Sequence, residues 1–403
     1  MRIDQADRLE SRMAKSGGAK PRIPRKAMDL KRVRFSAPLT LLMLAFLTGC
    51  TATSPTAGVR LNQIQVIGTH NSYHLRGHDS LLALIAEKNP ELRVEIDYGH
   101  PPLPEQLSRQ SIRQIELDCH ADPAGGLYAK PVGLERVAKA GLPPVPNHDP
   151  EGRLLRPGIK VMHLPDIDFA SSALTLIDAL QQVRTWSVKN PRHVPVFIML
   201  ELKEESLGPD LTQSVPFDTA QLANLEKEIL SVFPRESILT PDNVRGPAAT
   251  LPEALRRSGW PRLDAVRGRV MFGLDNEGAV RDRYLEGHRA LEGRLIFVSV
   301  PRTNAAAAWM KRNDPIGSFA EIQELVRSGF LVRTRADSGT QEARRNDPRK
   351  RERALASGAQ FVSTDYPEPD QRFSTYCVRL PEGVAARVNP VNQPDQPANQ
   401  KLE

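Results

Sequence analysis

The chain is poor in the residues that build disulfide frameworks or soft-metal centres. It has three cysteines in 403 residues. Neither thiols nor imidazoles cluster at ligand spacing, which argues against a zinc- or copper-type site. The apolar run at residues 39–47 is well under the roughly 18 residues needed to span a bilayer, so a permanent transmembrane helix is not expected. No internal repeat and no second domain stand out. The formal charge of +7 is itself local: residues 1–49 hold 11 Lys/Arg and 4 Asp/Glu, leaving 44 of each sign beyond. A neutral remainder removes the basic balance as an argument for a nucleic-acid partner.

What is present begins with that basic start. Lys31, Arg32 and Arg34 lead into residues 39–47, and the run ends at Thr48-Gly49-Cys50. Positive flank, short apolar stretch and small residues make an export signal over 1–49. Leu47-Thr48-Gly49-Cys50 resembles the lipobox of bacterial lipoproteins, which implies cleavage before Cys50, lipidation of its thiol and anchoring to the cell envelope. A soluble secreted or periplasmic product is the alternative. Met28 gives a signal of more ordinary length, so residues 1–27 are expected to be a misassigned start. With Cys50 on lipid, Cys119 and Cys377 allow one disulfide at most.

Residues 50–61 are small and polar, a tether, and residues 381–403 have few large apolar side chains and are expected to be disordered. Between them, over 62–380, apolar strand-like runs alternate with helix-like spacers. The runs are 64–70, 112–118, 159–163, 194–201, 269–274, 295–300, 330–335 and 360–365. Residues 172–188 and 219–233 carry apolar positions three and four apart, as amphipathic helices do. Eight such alternations predict an α/β fold, a single (β/α)8 barrel, whose active site sits at the C-terminal strand ends. Residues 79–110 and 122–158 are long for single connections and read as rim segments.

The strand ends carry the chemistry. The first ends in Gly68-Thr69-His70-Asn71-Ser72, the second in Glu116 and Asp118, the third in His163, the fourth in Glu201 and Lys203. Period-two geometry puts Glu116 with Asp118, and Glu201 with Lys203, on one face of their strands. Asparagine and carboxylate oxygens are hard-cation ligands of the kind Ca²⁺ takes.

In barrel order, Thr69-His70-Asn71, Glu116-Leu117-Asp118-Cys119, His163 and Leu200-Glu201 resemble the catalytic half of calcium-dependent phosphoinositide-specific phospholipases C. Residues 163–168 (HLPDID), 200–203 (LELK) and 363–367 (STDYP) are similar to exported bacterial members of that superfamily. The resemblance implies a Ca²⁺-dependent phosphoric diester hydrolase acting on a phospholipid or glycerophosphodiester at a membrane surface. It implies Ca²⁺ ligands at Asn71, Glu116, Asp118 and Glu201, with His70 and His163 flanking the phosphate. Within it, His163 is favoured as acid to the leaving diacylglycerol oxygen and His70 as phosphate stabiliser, with a cyclic inositol phosphate as first product. A glycerophosphodiester phosphodiesterase is the nearest rival, but its His-Arg-Gly and Pro-Glu-Asn segments are absent. A phospholipase D-like enzyme and a non-catalytic lipid- or sugar-binding surface lipoprotein are further alternatives.

The fifth strand departs from the eukaryotic pattern, in which lysines there grip ring phosphates: here Asp275 repels phosphate, which favours unphosphorylated phosphatidylinositol or a related diester. Lys203, Arg333 and Arg335 are candidates for headgroup or phosphate binding, against an internal salt-bridge network with Asp337 or Glu201. The basic run Arg344, Arg345, Arg349, Lys350, Arg351 and Arg353 reads as a solvated helix face, with anionic-membrane contact as the alternative.

Overall fold

A computed structural model of the protein describes residues 58–393, 395 and 402–403. The export signal, Cys50 and the tether as far as residue 57 lie outside the described residues. The strands are β1 (Ile64–Thr69), β2 (Gln114–His120), β3 (Lys160–Val161), β4 (Val196–Leu202), β5 (Val270–Leu274), β6 (Ile296–Val298), β7 (Trp309–Lys311), β8 (Leu331–Arg335), β9 (Phe361–Thr364) and β10 (Ala386–Val388). Eight of them pair in parallel around a barrel in the order β1, β2, β4, β5, β6, β7, β8, β9, and β9 returns to β1. Between β6 and β7 the closure is a single parallel bridge, Ser299 to Trp309. The expected (β/α)8 barrel is therefore present.

Two strand assignments differ from the sequence reading. The run at 159–163 yields only the two-residue β3, which pairs antiparallel with β2 and lies outside the barrel. Its place in the barrel is filled by β7, whose three residues are too short to show a period. A third difference concerns the segment expected to be disordered. Residues 386–388 form β10, antiparallel to Ile64–Val66, and Glu403 accepts from the Val194 N–H. Masked positions in 394–401 lie outside the described residues.

β10 has a clear physical reason. β1 and β2 share register only at Gly68 and Gln114, so the first half of β1 would present an open edge, which β10 covers. The seam is tight where it does form: a Cβ at Gly68 would stand 2.7 Å from that of Gln114.

Strands buried on both faces read as near-continuous apolar runs, and β4 is nearly that. Register places Phe197 of β4, Trp309 of β7 and Phe361 of β9 inside. Phe197 stacks on Phe361 at 4.4 Å between centroids and meets Trp309 edge-on at 5.3 Å. This aromatic floor closes the lower barrel, and the same inward face turns polar toward the C-terminal strand ends.

The rim after β1 carries helices α1 (Asp79–Lys88), α2 (Pro90–Glu95) and α3 (Leu103–Ser108), and that after β2 carries α4 (Val132–Lys139). The two amphipathic spacers fold as α5 (Leu176–Lys189) and α6 (Thr219–Val232), capped by Thr175 and Asp218, whose side chains accept from the third helical N–H. No helix of the described residues is long and apolar enough to cross a membrane. Cys119 and Cys377 are both free thiols.

In the basic run before β9, Arg345, Arg349 and Arg353 are exposed, while Arg344, Lys350 and Arg351 are half-buried. Arg344 pairs with Asp97 and lies 4.0 Å over the Phe373 ring. Arg351 donates to the Cys377 carbonyl, and Arg353 covers the Phe319 ring. Arg349 pairs with Asp347 and is itself exposed.

Asp97 is the centre of the rim's ion pairs, with Arg76 at 2.6 Å and Arg93, Arg344 and Arg372 at 2.9 Å each. Burial pushes its carboxyl up, but the bonds from Arg93, Arg76 and Arg372 outweigh that and hold it well below the usual range. The unfolded chain then binds more protons, so this contribution is whole above the ordinary Asp value near 4 and fades as pH falls below it. Asp97→Asn should cost about 1.5–3 kcal/mol at pH 6, the range for charged hydrogen bonds. In urea unfolding, its gap from wild type should shrink steadily toward pH 3; a gap independent of pH would count against the ion-pair account.

Candidate active site

The site starts with the turn after β1. Thr69 Oγ1 donates to Gln106 Oε1 at 2.7 Å and lies 2.6 Å from Ser72 Oγ, which accepts from the Glu116 N–H at 2.9 Å. Gln106 Nε2 donates to the Ser72 carbonyl. These buried bonds hold Asn71 at φ 43°, a left-handed conformation that Asn tolerates better than most residues. His70 and Asn71 are thereby turned into a cavity of about 600 Å³ that His163, Tyr98, Arg335 and Asp365 also line.

His70 Nδ1 lies 2.9 Å from Asp365 Oδ1 and 3.2 Å from the Tyr98 hydroxyl, and its Nε2 is 3.8 Å from Glu116 Oε1. Asp365 also takes Arg335 Nη2 at 3.0 Å. Burial, then the charge of Arg335, lowers His70 to about 3 against the opposing pull of Asp365. The ring is therefore neutral, and the Asp365 contact assigns its proton to Nδ1 and leaves Nε2 an acceptor.

His163 stands after β3. Its Nδ1 is 2.8 Å from Asp168 Oδ2, and His74 Nε2 contacts both oxygens of the same carboxylate at 2.9 and 3.0 Å. Burial alone would raise Asp168, but His74 and His163 hold it well below the usual range. The backbone supports this, since Asp168 N–H donates to the Leu164 carbonyl across a tight loop. Two imidazoles thus meet on one carboxylate, a cluster the sequence spacing does not reveal.

Glu116, Asp118 and Glu201 bring carboxylate oxygens within 4.8 Å of one another. In register, Asp118 sits directly beside Glu201 on the neighbouring strand. Lys203 Nζ bridges them at 3.0 and 2.8 Å, and Arg333 Nη2 meets Glu116 Oε2 at 2.6 Å. Arg333 is 1% exposed and also donates to Asn313 and Ser363. Despite these cations, burial holds the Glu116 and Asp118 carboxyls well above the usual carboxylate range. Positive charge at this point is insufficient for three carboxylates.

The donor set fits Ca²⁺. Every candidate ligand atom is an oxygen. Asn71 Oδ1 is buried with no hydrogen-bond partner, and neither Asp118 oxygen has a well-directed one. Asn71, Glu116, Asp118 and Glu201 would hold the ion, which supplies positive charge beside a substrate phosphate and hydroxyl.

His70, Asn71, His163 and Arg335 thus line the cavity. Glu116, Asp118 and Glu201 converge behind His70, with Lys203 and Arg333 tied to these carboxylates. Cys50 lies outside the described residues. Sequence reasoning assigned no role to Asp365, Asp168, Tyr98 or His74. Asp365 had a usable signal, because it follows the last barrel strand as His70 follows the first. Asp275, read as repelling phosphate, is neutralised by Lys311 of β7, whose Nζ lies 2.8 Å from Oδ2.

No curated protein matches the chain. Its structure is similar to that of a calcium-dependent phosphoinositol-specific phospholipase C from a Gram-negative bacterium, Pseudomonas sp., with 14% identity over 83% of this chain and 97% of that one, TM-score 0.47. It is also similar to a Ca²⁺-dependent phosphatidylinositol-specific phospholipase C from Streptomyces antibioticus, with 14% identity over 77% and 95% and TM-score 0.48. A glycerophosphoryl diester phosphodiesterase from Parabacteroides distasonis shows 11% identity over 76% and 84%, TM-score 0.29. The family described as phosphoinositide phospholipase C, Ca²⁺-dependent, matches residues 59–390. With that match spanning the whole barrel, the chain belongs to the Ca²⁺-dependent phosphoinositide phospholipase C family and is a phosphoric diester hydrolase that uses Ca²⁺.

Proposed function

We propose that the protein cleaves phosphatidylinositol at the glycerol side of its phosphodiester, with His70 as base and His163 as acid. The observation that carries this reading is one cavity lined by two histidines, each backed by its own carboxylate. Asp365 fixes Nδ1–H of His70, so Nε2 can take the proton of an inositol hydroxyl as its oxygen attacks phosphorus. A base role suits His70 better than that of a cationic phosphate stabiliser, because Arg335 already balances the charge of Asp365. Arg335 also faces the cavity as a cation for the phosphoryl oxygens.

As the bond from phosphorus to the glycerol oxygen breaks, His163 gives that oxygen a proton from Nε2. Asp168 orients the ring through Nδ1. The products are diacylglycerol and a cyclic inositol phosphate, which water opens when the two histidines exchange roles. The internal pairing of Asp275 with Lys311 leaves that strand end without a spare charge for ring phosphates, which favours the unphosphorylated headgroup. Lipidation of Cys50 would hold this mouth near a bilayer; its support is the sequence at residues 47–50.

Product analysis on phosphatidylinositol, glycerophosphoinositol and sphingomyelin is the test. Diacylglycerol and cyclic inositol phosphate are expected from the first, and chelation should abolish their formation until Ca²⁺ is restored. Turnover that survives chelation, or choline release from sphingomyelin, would overturn the reading.

His70→Ala and His163→Ala should each lower kcat by about 10²–10⁴-fold, the usual worth of a general acid or base. For a substrate whose leaving group needs no proton, such as a nitrophenyl inositol phosphodiester, His163→Ala should recover most of its rate while His70→Ala does not. Equal defects of both variants on that ester would reject the assignment of acid and base.

A further inference from the structure

The rim holds a second cavity that the catalytic chemistry does not use. It is a groove of about 460 Å³ between α1, α2, α4 and the loop through Ile167, and Leu81, Leu84, Ile85, Leu92 and Leu211 make most of its wall. That volume lies in the range of small-ligand sites, and an apolar concavity on a water-facing rim marks a binding surface more often than chance.

Two observations say what fills it. First, Leu92 lines both this groove and the catalytic cavity. It packs in one apolar cluster with Ile96, which lines the catalytic cavity, and Ile167, which lines the groove. The groove therefore adjoins the catalytic cavity across Leu92, and an apolar arm of a ligand held at His70 and His163 has that cluster to pass over. Second, the groove is edged by cations. Lys139 pairs with Glu135, whereas Lys88 and Arg136 have no ion-pair partner among the described residues.

We infer that the groove is an acyl-chain site: it takes one fatty-acyl chain of the lipid whose phosphodiester lies in the catalytic cavity. Lys88 and Arg136 then face the anionic headgroups around that lipid. The inference rests on the phospholipase C reading above and adds a recognition element to it. The enzyme distinguishes an acylated from a deacylated phosphodiester by burying a chain in its own surface, in addition to reading the headgroup.

Ala140, exposed just past α4, lines the groove but not the catalytic cavity. Ala140→Trp should fill the groove, and Ala138→Trp on the same helix, which does not line it, controls for folding. Calorimetry on the full chain with Ca²⁺ compares decyl phosphate, below its micelle concentration, with methyl phosphate. Wild type and Ala138→Trp should bind the decyl ester at least tenfold more tightly, and Ala140→Trp should lose that preference. Equal affinity for the two esters in wild type, or an undiminished preference in Ala140→Trp, would overturn the acyl site.

Turnover supplies a separate readout. Ala140→Trp should lower kcat/KM on monomeric dihexanoyl phosphatidylinositol about tenfold and leave glycerophosphoinositol, where it is a substrate, unchanged. An equal fall on both would place the effect at the catalytic site and reject the groove. If wild type cleaves neither, the phospholipase reading fails while the calorimetric result still decides whether the groove binds a chain.

Discussion

Three carboxylates at the ends of two adjacent strands, Glu116 and Asp118 buried and Glu201 half-buried, are the constraint on which the upper half of this barrel depends. Asp118 and Glu201 stand side by side across the β2–β4 ladder, and Glu116 lies one inward position below Asp118. Like charges opposite one another in a sheet destabilise it, and here burial compounds the cost. The barrel answers from two directions. Lys203 follows Glu201 on its own strand, and Arg333 reaches Glu116 from β8 on the far side. These cations moderate the repulsion without removing the oxygen atoms from the site, since both Asp118 oxygens still lack well-directed donors. A fold that tolerates such a cluster keeps a place for a divalent ion.

The two histidines share one device, applied twice. Each has a buried carboxylate at Nδ1, which fixes the ring and leaves Nε2 for substrate. The supports differ in what else they hold. Asp365 already has the guanidinium of Arg335, so His70 need not be charged. Among the described residues, Asp168 is met by two imidazoles, His74 and His163, and by no guanidinium.

Much of this was legible in the sequence because strand ends keep their period even when strands are irregular. His70, Asn71, Glu116, Asp118, His163 and Glu201 come to one barrel mouth, although the segment before His163 contributes only two residues of strand and lies outside the barrel. What stayed hidden depends on long-range pairing. β7 is three residues long, and without it the partner of Asp275, Lys311, could not be found; the charge of Asp275 therefore looked free. β10 is polar enough to resemble a disordered tail, and its reason for folding is the open edge of β1, which no local pattern reports. The arginines at 344–353 have the composition of a solvated face, and only the fold reveals the rings and carbonyls they meet.

The gradient along the barrel axis ties these parts together. The lower interior is an aromatic floor of Phe197, Trp309 and Phe361, which contributes packing and no chemistry. One or two inward positions higher on the same strands, the residues are Glu201, Lys311 and Ser363, and Asp365 follows directly after β9. Burying such charges in the middle of the core would be far more costly than at its mouth, where ion and substrate can share their compensation. Apolar character returns on the rim, at Leu84, Ile85 and Leu92 of the helices and Ile167 of the loop beside them. A substrate polar at one end and apolar at the other matches that sequence of surfaces in only one orientation. On the reading proposed above, the phosphodiester points down toward the strand ends and its chain lies outward along the helices. Headgroup chemistry and chain recognition are then set by different elements, strands for the first and rim helices for the second, so either can change without disturbing the other.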